Sequence, residues 1–100
     1  MIHLTEKTRI KVAISPVDFR RQINGLIALC QQQYQQDPRN GVHYVFINRA
    51  RTMVRVLHHD GSGYWLATKR LSKGRYLFWP SDNEPITELN AATLMKILKK

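Results

Sequence analysis

Alternating apolar and polar side chains over residues 7–14 predict a strand at the start of the chain. Ile10, Val12 and Ile14 recur at every second position, which is the period of a strand with one buried face. The Ser15-Pro16 pair ends this pattern, because proline cannot donate a backbone hydrogen bond to a sheet. We therefore expect one strand before residue 15.

A helical spacing follows the first strand. Apolar residues recur at three- and four-residue intervals from Ile23 to Cys30, which predicts an amphipathic helix reaching about residue 36, with Asp18 as its N-cap. Gly25 weakens such a helix, so a close approach of neighbouring atoms is expected at that position. Turn-forming residues at 37–41 end the helix.

Four strand-like segments separated by short turns make up the middle of the chain. They are predicted at residues 43–48, 53–58, 64–69 and 75–79, and in the second of them Val54 and Val56 face away from Arg55 and Leu57. The turns contain glycine, asparagine and aspartate, including Asp60. This order is typical of an antiparallel meander.

The last quarter of the chain begins with an irregular acidic segment between Pro80 and Pro85 and ends in a helix, for which Thr87 or Asn90 is the candidate N-cap. We expect a single α+β domain over residues 1–100. It has an antiparallel four- to five-stranded meander sheet, an N-terminal helix after the first strand and a C-terminal helix. The helices are expected to cover one face of the sheet and to leave the other face to solvent.

Charge is concentrated in the predicted sheet. The net charge is +9 and the isoelectric point is about 10.2. Seven cations occupy residues 49–75 with a single acid, Asp60, and aromatic residues lie among them. The cations are Arg49, Arg51, Arg55, Lys69, Arg70, Lys73 and Arg75, and the aromatic residues are Tyr64, Trp65, Tyr76, Phe78 and Trp79. Such a surface favours a polyanionic partner, and nucleic acid is the first to test.

Two interpretations of the basic residues stay open. If they gather on one face and bind DNA through six to eight phosphates, the logarithm of the affinity should fall with that of the salt concentration with a slope of roughly −5 to −7. If they only keep strand edges and turns soluble, no such binding follows. At least three of the five aromatic residues are expected in the core, and Trp79, before Pro80 at the margin of the sheet, is the one first expected to be exposed.

Residues for catalysis or metal binding are sparse. The four histidines are not spaced as the ligands of a metal site are. Asp18, Asp37 and Asp60 stand beside turn residues, where aspartate has structural uses. Cys30 is the single cysteine of the sequence, so an intramolecular disulfide is excluded. Its side chain is expected to be small and buried. No metal, cofactor or enzymatic activity is predicted. Without a membrane-spanning or signal-peptide stretch, a cytoplasmic location is expected.

Several short motifs resemble one known family. They are Asp18, Phe19, Arg20 and Arg21 with Gly25 and Leu26; Asp37 and Pro38 with Gly41; Val45 and Phe46 with Asn48 and Arg49; and Val56, Leu57, Asp60, Gly63, Leu66, Lys69, Arg70, Leu71, Gly74, Arg75, Trp79 and Pro80. Over residues 9–80 the chain resembles the small accessory proteins, called TnpB, of the bacterial insertion-sequence family sixty-six. These are unrelated to the RNA-guided nuclease of the same name.

The resemblance implies a non-catalytic accessory protein of DNA transposition, encoded beside a separate transposase. Matched by motif, the preferred functional cations are Arg20, Arg21, Arg49, Lys69, Arg70 and Arg75; Arg51, Arg55, Lys73 and Trp79 complete the predicted DNA-binding set. The alternative is an adaptor that docks the transposase or a sister accessory protein. A bacterial cytoplasmic protein that joins the nucleoid when bound to DNA is expected.

Overall fold

A computed structural model describes residues 4–99 of the chain. Its elements follow one another as β1 (Ile10–Ala13), α1 (Ile23–Gln32), β2 (His43–Ile47), β3 (Met53–His59), β4 (Tyr64–Arg70), β5 (Ile86–Leu89) and α2 (Ala91–Lys99). The architecture is α+β, with all five strands in one sheet.

The sheet is mixed, so the expected all-antiparallel meander is wrong. Its strand order is β4-β3-β2-β1-β5, and the pairs β2–β3 and β3–β4 are antiparallel as predicted. The β1–β2 pair is parallel, with Val12 opposite Val45. The chain between these strands contains α1, which is the kind of crossover that a parallel pair requires. The periodicity of a sequence does not tell a parallel strand from an antiparallel one. The predicted helix between β1 and β2 was the only signal in the sequence that this pair is parallel.

The predicted strand at residues 75–79 does not form, and the fifth strand lies just after the irregular segment, where Thr87 was a candidate N-cap of the last helix. Tyr76 and Trp79 are buried while the two residues between them are exposed, so burial does not alternate as it does in a strand. Trp79 donates its indole N–H to the Ala13 carbonyl oxygen at 2.9 Å, which fixes the segment against the core. The β5 strand then pairs antiparallel with β1.

Both faces of the sheet are covered, contrary to the expectation of one solvent-facing side. On one face, Leu26 and Cys30 of α1 pack with Tyr44 and Phe46 of β2. On the other face, the core contains Tyr76, Trp79 and α2 residues together with side chains of β1, β2 and β3. The protein therefore has three layers, and a ligand can reach mainly the edges and ends of the sheet.

Both ends of α1 differ from the predicted ends. Gln22 occupies the N-cap without a side-chain hydrogen bond, and Asp18 accepts the backbone N–H of Arg20 before the helix begins. The helix ends at Gln32, short of residue 36, and Gln35 has a positive φ of 53°. At α2, Asn90 accepts the Thr93 N–H at 2.8 Å as an N-cap. Across residues 4–99 neither helix has the length and apolar character needed to cross a bilayer.

Candidate nucleic-acid interface

The β2–β3 hairpin ends in a loop that Asn48 holds in shape. Its Oδ1 accepts the backbone N–H groups of Thr52 and Met53, at 2.9 and 3.0 Å, and its Nδ2 donates to Thr52 Oγ1. The Arg51 N–H donates to the Asn48 carbonyl. Because the loop is closed by these bonds, it presents Arg49 and Arg51 on a fixed backbone.

Arg51 has a left-handed backbone, with φ of 62°. A side chain costs about 1 kcal/mol in this region, whereas glycine adopts it freely. We expect Arg51→Gly to raise the free energy of unfolding by up to about 1 kcal/mol, measured by urea denaturation. Arg49→Gly, at a position without positive φ, is the matched control and should destabilise. A less stable Arg51→Gly protein would contradict this explanation of the loop.

The chain after β4 is joined to the same hairpin loop. The Leu71 N–H donates to the Thr52 carbonyl at 2.9 Å, and the Tyr76 N–H donates to the Arg51 carbonyl at 2.8 Å. Within β4, Arg70 lies opposite Met53, the first residue of β3. Residues 70–76 and their cations therefore lie beside the hairpin loop.

The connection from β1 to α1 reaches the same end of the sheet. The Val17 N–H donates to the carbonyl of Ile47, the last residue of β2. Arg20 and Asp18 of this connection form an ion pair at 2.7 Å, and the side-chain hydrogen bond from Arg20 lowers the pKa of Asp18 to about 2. A shallow open depression between the connection and the hairpin is lined by Arg20 and Arg49, among others.

Seven cations thus lie where β1, β2 and β4 end, and we call this set the basic rim. It comprises Arg20, Arg21, Arg49, Arg51, Arg70, Lys73 and Arg75. Ion pairs within residues 4–99 are Arg9–Glu88, Arg20–Asp18 and Arg39–Asp37. Six rim cations, all except Arg20, therefore have no ion pair to the described carboxylates. Their charge is available to an anionic partner.

Acidic residues mark the opposite corner of the same end. The Ile14 N–H donates to the Pro85 carbonyl at 3.1 Å, which places the residues before β5 next to the end of β1. Asp82 and Glu84 are exposed in this segment. The end of the sheet is therefore basic over β2, β3 and β4 and acidic beside β5.

Arg55 does not join the rim, since its guanidinium is used inside the protein. Its Nη1 donates to the carbonyls of Phe19 and Arg21, both at 2.8 Å, and its Nε donates to Thr68 Oγ1 at 3.1 Å. The guanidinium carbon also lies 4.7 Å from the Phe19 ring centroid. These bonds fasten the β1–α1 connection to the sheet. Sequence reasoning missed this role, because a strand arginine has no local sign of a distant carbonyl partner.

Lys69 and Trp79, also predicted to contact DNA, lie apart from the rim. Thr68 pairs with Arg55, so Lys69 points to the opposite face, where its Nζ donates to the Leu98 carbonyl at the end of α2. Trp79 is only 7% exposed, so the expectation that it is an exposed aromatic residue is wrong. Arg55 and Lys69 lie on opposite faces of the sheet, so the cations of the central strands do not gather on one face.

Two histidines lie stacked on the α2 side of the sheet. The rings of His43 and His58 are 3.8 Å apart with an interplanar angle of 12°, and each buried Nδ1 has no hydrogen-bond partner among the described residues. Desolvation, assisted by the charge of His58, lowers the pKa of His43 from 6.5 to about 4. Within residues 4–99 no group of three His, Cys, Asp or Glu side chains could hold a metal ion.

The lowered pKa of His43 predicts a fall in stability with acid. The unfolded chain takes up the proton near the ordinary pKa of 6.5, and the folded protein only near about 4, so the contribution is complete above pH 6.5 and is lost as the pH falls toward 4. The thermal midpoint should therefore drop between about pH 7 and about pH 4.5. Asp18, with a folded pKa of about 2, titrates at lower pH and does not contribute there.

His43→Phe is the control for this pH dependence, because it keeps an aromatic ring on His58 and removes the titrating group. The variant should lose less of its thermal midpoint than the native protein over the same pH range. Equal losses in the two proteins would show that another group is responsible.

Cys30 is fully buried, and burial raises the pKa of its thiol to about 12. A thiol that stays protonated at neutral pH is a poor nucleophile. The side chain packs in the core between α1 and the sheet. Its role in the protein is therefore packing, as the sequence indicated.

The chain is similar to one known protein family and to two proteins of one bacterium. A family model described as "IS66 Orf2 like protein" matches residues 8–99. Two proteins of Sinorhizobium fredii are similar, and both carry the name uncharacterized protein. The first, y4jC, is 42% identical over 80% of this chain and 68% of its own length; the second, y4hO, is 30% identical over 98% of this chain and 84% of its own. No solved structure matches.

Proposed function

Because the chain belongs to the IS66 Orf2-like family, associated with transposition in an accessory role, we propose that it binds DNA through the basic rim during transposition. The rim acts on the phosphate backbone and reads little base sequence. It has no catalytic task in this proposal. The strand-cutting chemistry belongs to a separate transposase.

The observation that carries the proposal is a set of six cations at one end of the sheet that have no ion pair to a carboxylate of residues 4–99. Three separate segments bring them there: the β1–α1 connection, the β2–β3 loop and the residues after β4. Like charges held together repel one another, and a polyanion relieves that repulsion. Cations that served solubility alone would have no reason to converge on one end.

Arginine fits this task better than lysine. Five of the six unpaired rim cations are arginines, and a planar guanidinium can donate two parallel hydrogen bonds to a phosphate. Arg49 and Arg51 stand on a narrow, internally bonded loop that could follow a groove wall. Exposed phosphates are then bound at several points on a preformed frame.

The experiment is a salt titration of binding to a duplex of random sequence, followed by fluorescence anisotropy. Six phosphate contacts predict a slope of about −5 for the logarithm of affinity against that of salt, or about a thousandfold loss between about 50 and 200 mM. Duplexes of unrelated sequence should bind alike. No binding at low salt would overturn the proposal.

The adaptor role is the other outcome to be distinguished. Tagged protein should retain the transposase of its own element through nuclease digestion if protein contacts alone join them. Loss of the transposase on digestion would instead indicate that DNA bridges the two. The result separates a DNA-binding accessory protein from a docking protein.

A further inference from the structure

A second surface lies away from the basic rim, on the α2 side of the protein. Leu77 is 79% exposed and Phe78 is 63% exposed, and both border a cleft along α2 whose other wall includes Thr93, Lys96 and Ile97. Single exposed apolar residues are ordinary in proteins. Two adjacent ones beside an apolar cleft form a small continuous surface, which we call the LF cleft.

The LF cleft is held in place by its neighbours in the chain. Tyr76 and Trp79, on either side of the exposed pair, are 1% and 7% exposed, and Trp79 also donates to the Ala13 carbonyl. Leu77 and Phe78 are therefore presented to solvent by anchored backbone. A surface that is already ordered loses little conformational entropy when a partner binds.

The backbone of the exposed pair is also unused. Within residues 4–99, the N–H and C=O groups of Leu77 and Phe78 make no backbone hydrogen bond, although Tyr76 donates to Arg51 just before them. Free backbone groups beside apolar side chains suit an extended peptide, which can pair with the backbone and place side chains in the cleft.

Charge around the LF cleft decides which kind of partner fits. Lys96 lines the cleft, and Lys99 lies one turn further along α2. A second copy of this chain, with a net charge of +9, would bring more positive charge to the same place. Among the residues lining the cleft Phe78 is the single aromatic side chain, so a nucleic-acid strand would find one stacking position and not a series of them.

We propose that the LF cleft docks a short acidic segment of another protein, which carries an apolar side chain between Asp or Glu residues. Its apolar side chain is buried against Leu77, Phe78 and Ile97, and its carboxylates face Lys96 and Lys99. Because this surface is separate from the basic rim, the inference does not depend on DNA binding.

The test uses random dodecapeptides displayed on phage and selected on the full chain, with Leu77→Ser/Phe78→Ser protein as the counter-selection. The selected sequences should share Asp or Glu flanking Leu, Phe or a similar residue. A synthetic selected peptide should bind the double variant about tenfold or more weakly, as expected for loss of two anchors. Both substituted side chains are exposed, so folding is expected to be retained and is checked by thermal denaturation.

Exchanging the charges of Lys96 and of the peptide tests the attraction between them. Lys96→Glu should weaken the selected peptide, and a peptide with lysine in place of its acidic residues should regain affinity for this variant. Selected peptides without acidic residues, or equal binding to the double variant, would overturn the proposal. So would a native dimer that Leu77→Ser/Phe78→Ser converts to monomer, or a loss of DNA affinity in that variant as large as in rim variants.

Discussion

Arg49→Gln/Arg70→Gln/Arg75→Gln protein is expected to bind duplex DNA on the order of a hundredfold more weakly than the native chain at moderate salt. Each substitution removes a charge from the basic rim, and each lost phosphate contact flattens the salt dependence by about 0.9. The slope should therefore become about 2 to 3 units less steep. Anisotropy titrations at several salt concentrations measure both quantities.

A variant with the same net charge tells site binding from general attraction. Lys7, Arg9 and Arg39 precede β1 or β2 and so lie at the end of the sheet away from the rim. Substituting all three with Gln removes three charges, as in the rim variant. This control should keep most of the affinity and nearly the native slope. If both variants weaken equally, DNA is attracted by net charge alone and the rim is not a site.

Arg55→Met is expected to lower the free energy of unfolding by about 2–3 kcal/mol. The methionine keeps the apolar stem but leaves the carbonyls of Phe19 and Arg21 without their charged donor, and bonds to charged groups are among the stronger ones in proteins. Urea denaturation should show a lower midpoint with an unchanged slope. Arg55→Lys should recover only part of the loss, because an ammonium cannot reproduce the guanidinium geometry.

Arg39→Met is the matched control for Arg55. Arg39 pairs with Asp37 on the surface, where ion pairs contribute little, so the denaturation midpoint of the variant should stay near the native one. Hydrogen exchange adds a local readout: in Arg55→Met, amides of the β1–α1 connection should exchange faster than those of β2. A native-like midpoint for Arg55→Met would show that the connection holds its place without this side chain.

Local signals in the sequence located most of the elements correctly. Alternating side chains and turn-forming residues placed β2, β3 and β4 within a residue or two, because hairpin strands and their turns are set by neighbours in the chain. The Asp60 turn and the Asn90 cap depend on short side-chain bonds and were predictable for the same reason.

Long-range packing defeated the other expectations. Residues 75–79 have the composition of a strand, but the burial of Tyr76 and Trp79 against α2 and β1 overrides it. Residues 86–89 become a strand because β1 offers them a free edge. For the candidate site, the sequence indicated cations but not their meeting place. That place depends on which strand neighbours which and on the hydrogen bonds joining separate loops.

The acidic corner beside β5 restricts how much DNA one molecule can cover. Strands β2 to β4 span about 10 Å at ordinary strand spacing. That length of duplex is about three base pairs, or about six phosphates. Asp82 and Glu84 repel a duplex that extends past β1. A single chain would then occupy only a fraction of a helical turn, so recognition of a specific transposon end would require several molecules or a larger protein beside it.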